Sequence, residues 1–309
     1  MSPNAVFLYE IDKSFGPNLI AEFNLTNSKV TKDILIEFIT KHIEKELTDA
    51  TVKKDDIRYY SSKLDADSIK KDNVFLGFIL KEEEELISLK SLFEKMESNL
   101  VKNFTTDKNK MTQLLKQNLS SILSLMERLK EPKIIVETIN EKTKAMLDDG
   151  KIQEARELID LGEKIPDKLA AEITLAENLF KAKEFKKAKK SFEKAADLAA
   201  MIQETEIVSF LINKGEQVGT YPELLKERDI ITKKIKSVFI ELSGAELFKN
   251  TYEKIMPSVE KIVNISNSLE DDKAVDVFNE LRKNAREASE LAKKLYTLDK
   301  TIKRLLLKF

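Results

Sequence analysis

The chain has 309 residues, 42% hydrophobic and 35% charged, with 53 Lys/Arg against 54 Asp/Glu and a net charge of −1. Seven Gly and six Pro are too few for a turn-rich sandwich or barrel, and abundant Lys, Glu and Leu point to helix. The absence of cysteine excludes disulfides, thiolate metal sites and thiol nucleophiles, and the lone His42 excludes a multi-histidine metal site. No signal peptide or apolar run of about 18 residues is present, so the expectation is a cytoplasmic protein touching a membrane at most peripherally.

Residues 1–104 read as a mixed α+β region. Ala5–Ile11 is a β-branched and aromatic run ended by Asp12-Lys13-Ser14. Phe15-Gly16-Pro17 supplies a turn, and Leu19–Asn24 follows as a second strand at hairpin distance. Ile34, Leu35, Phe38, Ile39, Ile43 and Leu47 repeat at three and four, which predicts a helix from Thr31 to Leu47. His42 falls on the flank of that seam, beside Phe38, where a packing role outweighs a catalytic one. Ile57–Tyr60 starts a third strand, and Val74–Leu80, apolar throughout, reads as a central strand covered on both faces. A short fifth strand is expected at 50–54 or 62–66. Glu82–Glu85 then read as helix-start acids favoured by the positive end of the dipole, with a helix to Asn103.

This β-β-α-β-β-α order, with Phe15-Gly16-Pro17 at the first hairpin, resembles the longin and roadblock superfamily of small regulatory domains. The resemblance covers about a third of the chain. It implies one antiparallel sheet with helices packed on it, and a binding role towards small GTPases, SNARE-like helices or membrane-coat subunits.

Beyond the polar Thr105-Thr106-Asp107 break every apolar pattern is helical, beginning with a connecting helix, 105–132, that stops before Pro132. Ile152, Ala155, Ile159 and Gly162 recur as Phe185, Ala188, Phe192 and Ala195, each 33 positions later. With Ala176 and Leu179 ahead of the second set, Thr143 and Met146 ahead of the first, and an Asp149-Gly150-Lys151 turn, the spacing resembles the tetratricopeptide repeat. That implies two helical hairpins over 133–222, with Pro166 near a terminating position and Gly215, Gly219 and Pro222 breaking a third unit. A helical bundle, 223–309, follows, with helices expected over 222–242, 245–267 and 273–298 and a kink or division at Pro257. The expected fold is therefore an α+β head followed by a larger all-α region.

Residues 273–309 carry 10 basic and 5 acidic residues. Leu298–Phe309 places Ile302, Leu305, Leu306 and Phe309 on one face with Lys300, Lys303, Arg304 and Lys308 beside them. Two readings follow: these apolar groups dock on the preceding helices, the favoured one, or they form a basic amphipathic contact for a partner or an anionic membrane. The contact residues would then be Lys300, Lys303, Arg304, Leu305, Lys308 and Phe309. No phosphate-cradling glycine loop, Gly-x-Ser-x-Gly elbow or Glu-x-x-His pair occurs. The reading is a non-enzymatic interaction scaffold or adaptor needing no cofactor, whose partner is a protein such as a small GTPase or a coat- or SNARE-like protein. Carboxylate-based metal-dependent catalysis and nucleic-acid association remain the alternatives; the charge balance argues against nucleic acid as a partner.

Overall fold

Strands β1 (Ala5–Asp12), β2 (Gly16–Asn24), β3 (Asp49–Lys54), β4 (Ile57–Lys63) and β5 (Val74–Lys81) form one antiparallel sheet in the order β2-β1-β5-β4-β3. The computed structural model describes residues 3–12, 14–26, 29–65, 69, 71–81, 86–238 and 245–307. The Glu82–Glu85 run, Lys308 and Phe309 lie outside the described residues. Asp49–Lys54 is the fifth strand, at the sheet edge, and β5 lies between β1 and β4 as its unbroken apolar run requires. At the first hairpin Asp12 accepts the backbone N–H groups of Ser14 and Phe15 at 2.7 and 3.0 Å. Gly16 there has φ +83, a conformation that favours glycine. Pro17 is tolerated in β2 because β2 is an edge strand.

Side-chain alternation gives the sheet two separate cores. Phe7, Tyr9, Tyr59, Phe75 and Ile79 point to the face covered by α1 (Lys32–Ile39), where Ile34, Leu35 and Phe38 meet them. Val6, Leu8, Tyr60, Leu76, Phe78 and Leu80 point to the other face. There they meet α2 (Leu86–Lys102) and α3 (Lys108–Lys130), whose Phe93, Met111, Leu115 and Leu119 are buried with them. The predicted helix 31–47 is therefore shorter: after Ile39 the chain makes a π turn, Thr40–Glu44, that carries His42.

The second core continues without interruption into α4 (Pro132–Asp148), α5 (Ile152–Lys181), α6 (Phe185–Met201) and the first part of α7 (Thr205–Val238). Here Pro166 and Pro222 depart from expectation, and of the two outcomes expected at Pro257 the division does not occur. Pro166 does not end a helix but sits buried inside α5, Pro222 lies inside α7, and Pro257 lies inside α8 (Ala245–Ser268) without dividing it. A helix-interior proline costs about 3 kcal/mol. In α5 the buried stripe Leu158, Gly162, Ile165, Leu169, Ile173 and Ala176 runs through the proline, and keeping that stripe continuous offsets the loss. The seam passes Ala155, Leu158 and Gly162, which leaves Ile152 and Ile159 exposed. The 33-residue offset nevertheless reaches the turns: Gly150 (φ +77) and Lys183 (φ 61) are both left-handed and both follow a helix end.

Contacts divide the chain into two compact units, Met1–Thr220 and Tyr221–Phe309. In the second, Ile231 and Ile235 of α7 and Val259, Ile262 and Ile265 of α8 make the core, with Phe278 and Leu281 of α9 (Asp272–Leu306) packed against it. Helix α9 starts where Asp271 accepts the Ala274 N–H at 3.1 Å. It then runs on through the expected stop near 298 as one helix to Leu306.

Candidate interaction surface

Helix α9 has two faces of unequal character. Toward α8 it buries Val275, Asn279, Arg282, Ala285, Ser289 and Ala292, a seam of small and polar side chains. On the other side Leu291, Leu295, Leu298, Ile302 and Leu305 stand between 48% and 64% exposed. At about 100° per residue these five fall within an arc of roughly 80°, nearly opposite the α8 contact. Their spacing of four, three, four and three is a heptad with Leu295 and Ile302 at a and Leu291, Leu298 and Leu305 at d.

The expectation that Ile302, Leu305 and Leu306 dock on preceding helices is thus corrected: all three are exposed, as is Leu307. The reason is geometric. One uninterrupted helix carries these residues beyond its side-chain contacts with α8, which among the described residues reach Lys293 with Glu253 and Tyr296 with Lys249. Of the contact residues read from sequence, Lys300, Lys303, Arg304 and Leu305 lie on this helix. Leu305 belongs to the apolar stripe, whereas Lys300, Lys303 and Arg304 lie about 120–180° around the helix from the stripe's centre. Lys303 pairs with Asp299 at 2.8 Å, one turn away. Leu291 and Leu295 escape a reading that starts the terminal segment at Leu298, and Leu298 is not placed on its apolar face; the heptad register running from Ala288 to Phe309 in the sequence is the signal that finds all three.

Two concavities in the first unit were the other candidates. An open depression of about 760 Å³ is lined by Glu10, Asp12, His42, Lys63, Lys71 and Asp72. Its Glu10 is held by Lys71 at 2.7 Å and Asn18 at 3.0 Å, which keep its carboxyl below the usual carboxylate range. A groove of about 470 Å³ between α2 and α3 is lined by Met96, Asn99, Asn118 and Ile122, and Asn99 donates to Asn118 at 2.7 Å across it. Both are places where polar groups satisfy one another.

Beneath the depression His42 packs against Phe38 and Phe75, with ring centroids 5.8 and 4.3 Å away, as its position on the α1 seam predicts. Its Nδ1 lies 2.7 Å from the Leu47 carbonyl, which can only accept, so Nδ1 carries the proton. Nε2 therefore accepts from Ser61 Oγ at 3.0 Å, and Tyr9 Oη donates to Ser61 at 2.7 Å. Burial pushes the His42 pKa down to about 4, so the ring is neutral and the chain of bonds runs one way. A serine–histidine contact is the start of a nucleophile pair, but Ser61 is fully buried and its hydroxyl has no route to a substrate.

On the sheet's other face the Ser62 hydroxyl donates to Glu97, and Lys90 pairs with Asp49 at 2.9 Å. Burial lifts the Glu97 pKa to about 7, with Asp49 and Glu94 adding to the rise and Ser62 and Lys90 opposing it. Among the described residues no group of three or more His, Cys, Asp or Glu is placed to hold a metal ion. Nor, among them, is any helix long and apolar enough to cross a membrane. No protein-family profile matches the chain, and no curated protein or solved structure matches it.

Proposed function

We propose that this protein is a non-enzymatic interaction scaffold that docks a helical partner along the Leu291–Leu305 stripe. The observation that carries the reading is the inversion of α9 over its second half: its leucines from Leu291 on face water, while the side chains it buries from Asn279 to Ala292 are asparagine, arginine, alanine and serine. A narrow a/d stripe is the seam of a helix-on-helix contact, whereas a wider apolar arc is what a globular core takes. Lipid is the weaker match, because Glu287 and Asp299 sit at the stripe's two edges, where an anionic surface would repel them.

The head's sheet order, with α1 on one face and α2 and α3 on the other, is compatible with the longin-like arrangement that the sequence resembles. The shared left-handed turns at Gly150 and Lys183 are compatible with repeat-like hairpins. On that resemblance the partner class is a small GTPase or a coat- or SNARE-like protein of the cytoplasm. The test is capture from native lysate, supplemented with GDP or a non-hydrolysable GTP analogue, on immobilised wild type and on the Leu291→Ser/Leu298→Ser/Leu305→Ser variant. Proteins held by the wild type and lost from a folded variant are the expected result. Equal retention on both would remove the stripe as the docking surface.

A further inference from the structure

The geometry points to a second copy of this chain as the occupant of the α9 stripe, in a parallel, in-register two-stranded coiled coil. The inference rests on the reading of the stripe as a docking surface and names what docks there. Three features select this occupant. The first is the identity of the seam: Leu291, Leu298 and Leu305 fill every d position, and of the two a positions Ile302 is β-branched while Leu295 is not; Leu at d with a β-branched a residue is the combination that favours two parallel strands.

The second is charge. In the heptad set by Leu295 and Ile302, the g positions are Glu287, Lys294 and Thr301, and the e positions are Ala292, Asp299 and Leu306. A parallel pair brings each g against the e′ five residues on. Lys294 then meets Asp299 of the other copy, twice by symmetry, and neither remaining g–e′ pair, Glu287 with Ala292 or Thr301 with Leu306, sets like charges together. An antiparallel overlay of the same five layers faces g with g and e with e. It sets Lys294 near Thr301 and the two Asp299 carboxylates near each other, and the ion pair is lost. Asp299 already holds Lys303 of its own helix at 2.8 Å, so in the parallel pair its carboxylate sits between two cations.

The third is preorganisation. A seam of two and a half heptads is short for an isolated peptide, which must first pay for helix formation. Here the helix is built on the second unit through Val275 to Ala292, so association orders side chains and little backbone. Phe309 takes the next a position in the sequence, outside the described residues.

The chain has no cysteine, so a single introduced thiol reports geometry cleanly. Sedimentation of the full chain across a concentration series should show a monomer–dimer equilibrium. Leu291→Gln/Leu298→Gln should be monomeric with its circular dichroism intact. Lys294→Glu should weaken dimerisation about 3- to 5-fold, and adding Asp299→Lys should restore it. Leu291→Cys should cross-link to a covalent dimer under mild oxidation much faster than Lys300→Cys on the far side of the helix. An antiparallel pair would hold the two Leu291 positions at opposite ends and leave them unlinked. Cross-linking of Leu291→Cys no faster than Lys300→Cys, or a wild type monomeric throughout, overturns the inference. Stripe-dependent binding of the monomer to phosphatidylserine vesicles would also overturn it, in favour of lipid. A monomer that still loses a lysate partner in the serine variant defeats the second copy alone, and one that loses none defeats the docking surface too.

Discussion

The first unit's core and the last half of α9 in the second unit use their leucines in opposite ways. In the first unit, Leu8, Leu76, Leu80, Leu89, Leu115 and Leu119 are inside one core that runs from the sheet into the following helices. In the second unit, five isoleucine and valine positions of α7 and α8 make the core, and the leucines of the last half of α9 stand in water. Burying a leucine stabilises a fold by about 1.5–3 kcal/mol, so the last half of α9 forgoes a contribution that the first unit's core takes from each of these residues. On the docking reading proposed above, leaving such residues in one register on one face serves a contact and not the fold's own stability. On that reading the comparison separates residues that serve folding from residues that serve contact.

The largest expected effect lies where the first unit is tightest. Gly77 pairs with Phe7 across β5 and β1, and a Cβ at Gly77 would come within 2.2 Å of the Phe7 ring. Phe7 is held in turn by Tyr9 and Phe38, with ring centroids 5.7 and 6.5 Å away, so it has nowhere to move. Gly77→Ala should cost more than about 3 kcal/mol, read as a fall in the denaturation midpoint at unchanged denaturant slope. A loss under about 1 kcal/mol would mean that the sheet centre can relax, and the contrast between a rigid first unit and an open α9 face would weaken.

A middle-sized effect compares the sheet's two faces. His42, with its pKa lowered to about 4, holds less proton than its unfolded counterpart as pH falls through 6.5, so its burial loses stability on acidification. Glu97, with its pKa raised to about 7, holds more proton than when unfolded, so its burial loses stability as pH rises from about 4.5 through 7. The two slopes oppose each other between about pH 4.5 and 6.5, and the wild type should be nearly flat there. Glu97→Gln should unmask the histidine, with stability rising by roughly 2–3 kcal/mol from pH 4 to 6.5. His42→Leu should unmask the glutamate, with stability falling over pH 4.5–7 whatever its absolute loss. Melting temperatures across that range check both signs, and a flat profile in either variant would refute the assignment.

Strand positions were legible because alternation and turn chemistry are local: the Val74–Leu80 run announces a strand buried on both faces, and Gly16 announces its hairpin. Helix ends were not, because Pro166 and Pro222 read as breaks while the packing that carries the helices past them is tertiary. The Thr105–Asp107 break marks a loop correctly, with Asp107 capping α3 through the Asn109 and Lys110 N–H groups. It does not mark the edge of a core, since Met111 and Leu115 just beyond it pack with Val6 and Leu8. Ile302 and Leu305 were visible as apolar groups, but Leu291, Leu295 and Leu298 look like core residues until the small, polar seam facing α8 is known.

The smallest expected effect is the sharpest test of the comparison. Leu298→Ser removes a large apolar side chain that is 60% exposed and lies outside the second unit's core. In a dilute sample the melting temperature should change by the equivalent of about 0.5 kcal/mol or less, the range of surface substitutions. A core leucine such as Leu115, fully buried, should cost several kcal/mol under the same change, because its site would be left with a cavity and a hydroxyl in it. Association adds a second signature: a contact formed only by folded chains raises stability as protein concentration rises. The wild-type melting temperature should therefore climb with concentration while that of Leu298→Ser stays level, so the two curves coincide when dilute and separate when concentrated. A large loss in the dilute sample would show that Leu298 supports the fold after all, and the division between folding leucines and contact leucines would fail at its most exposed point.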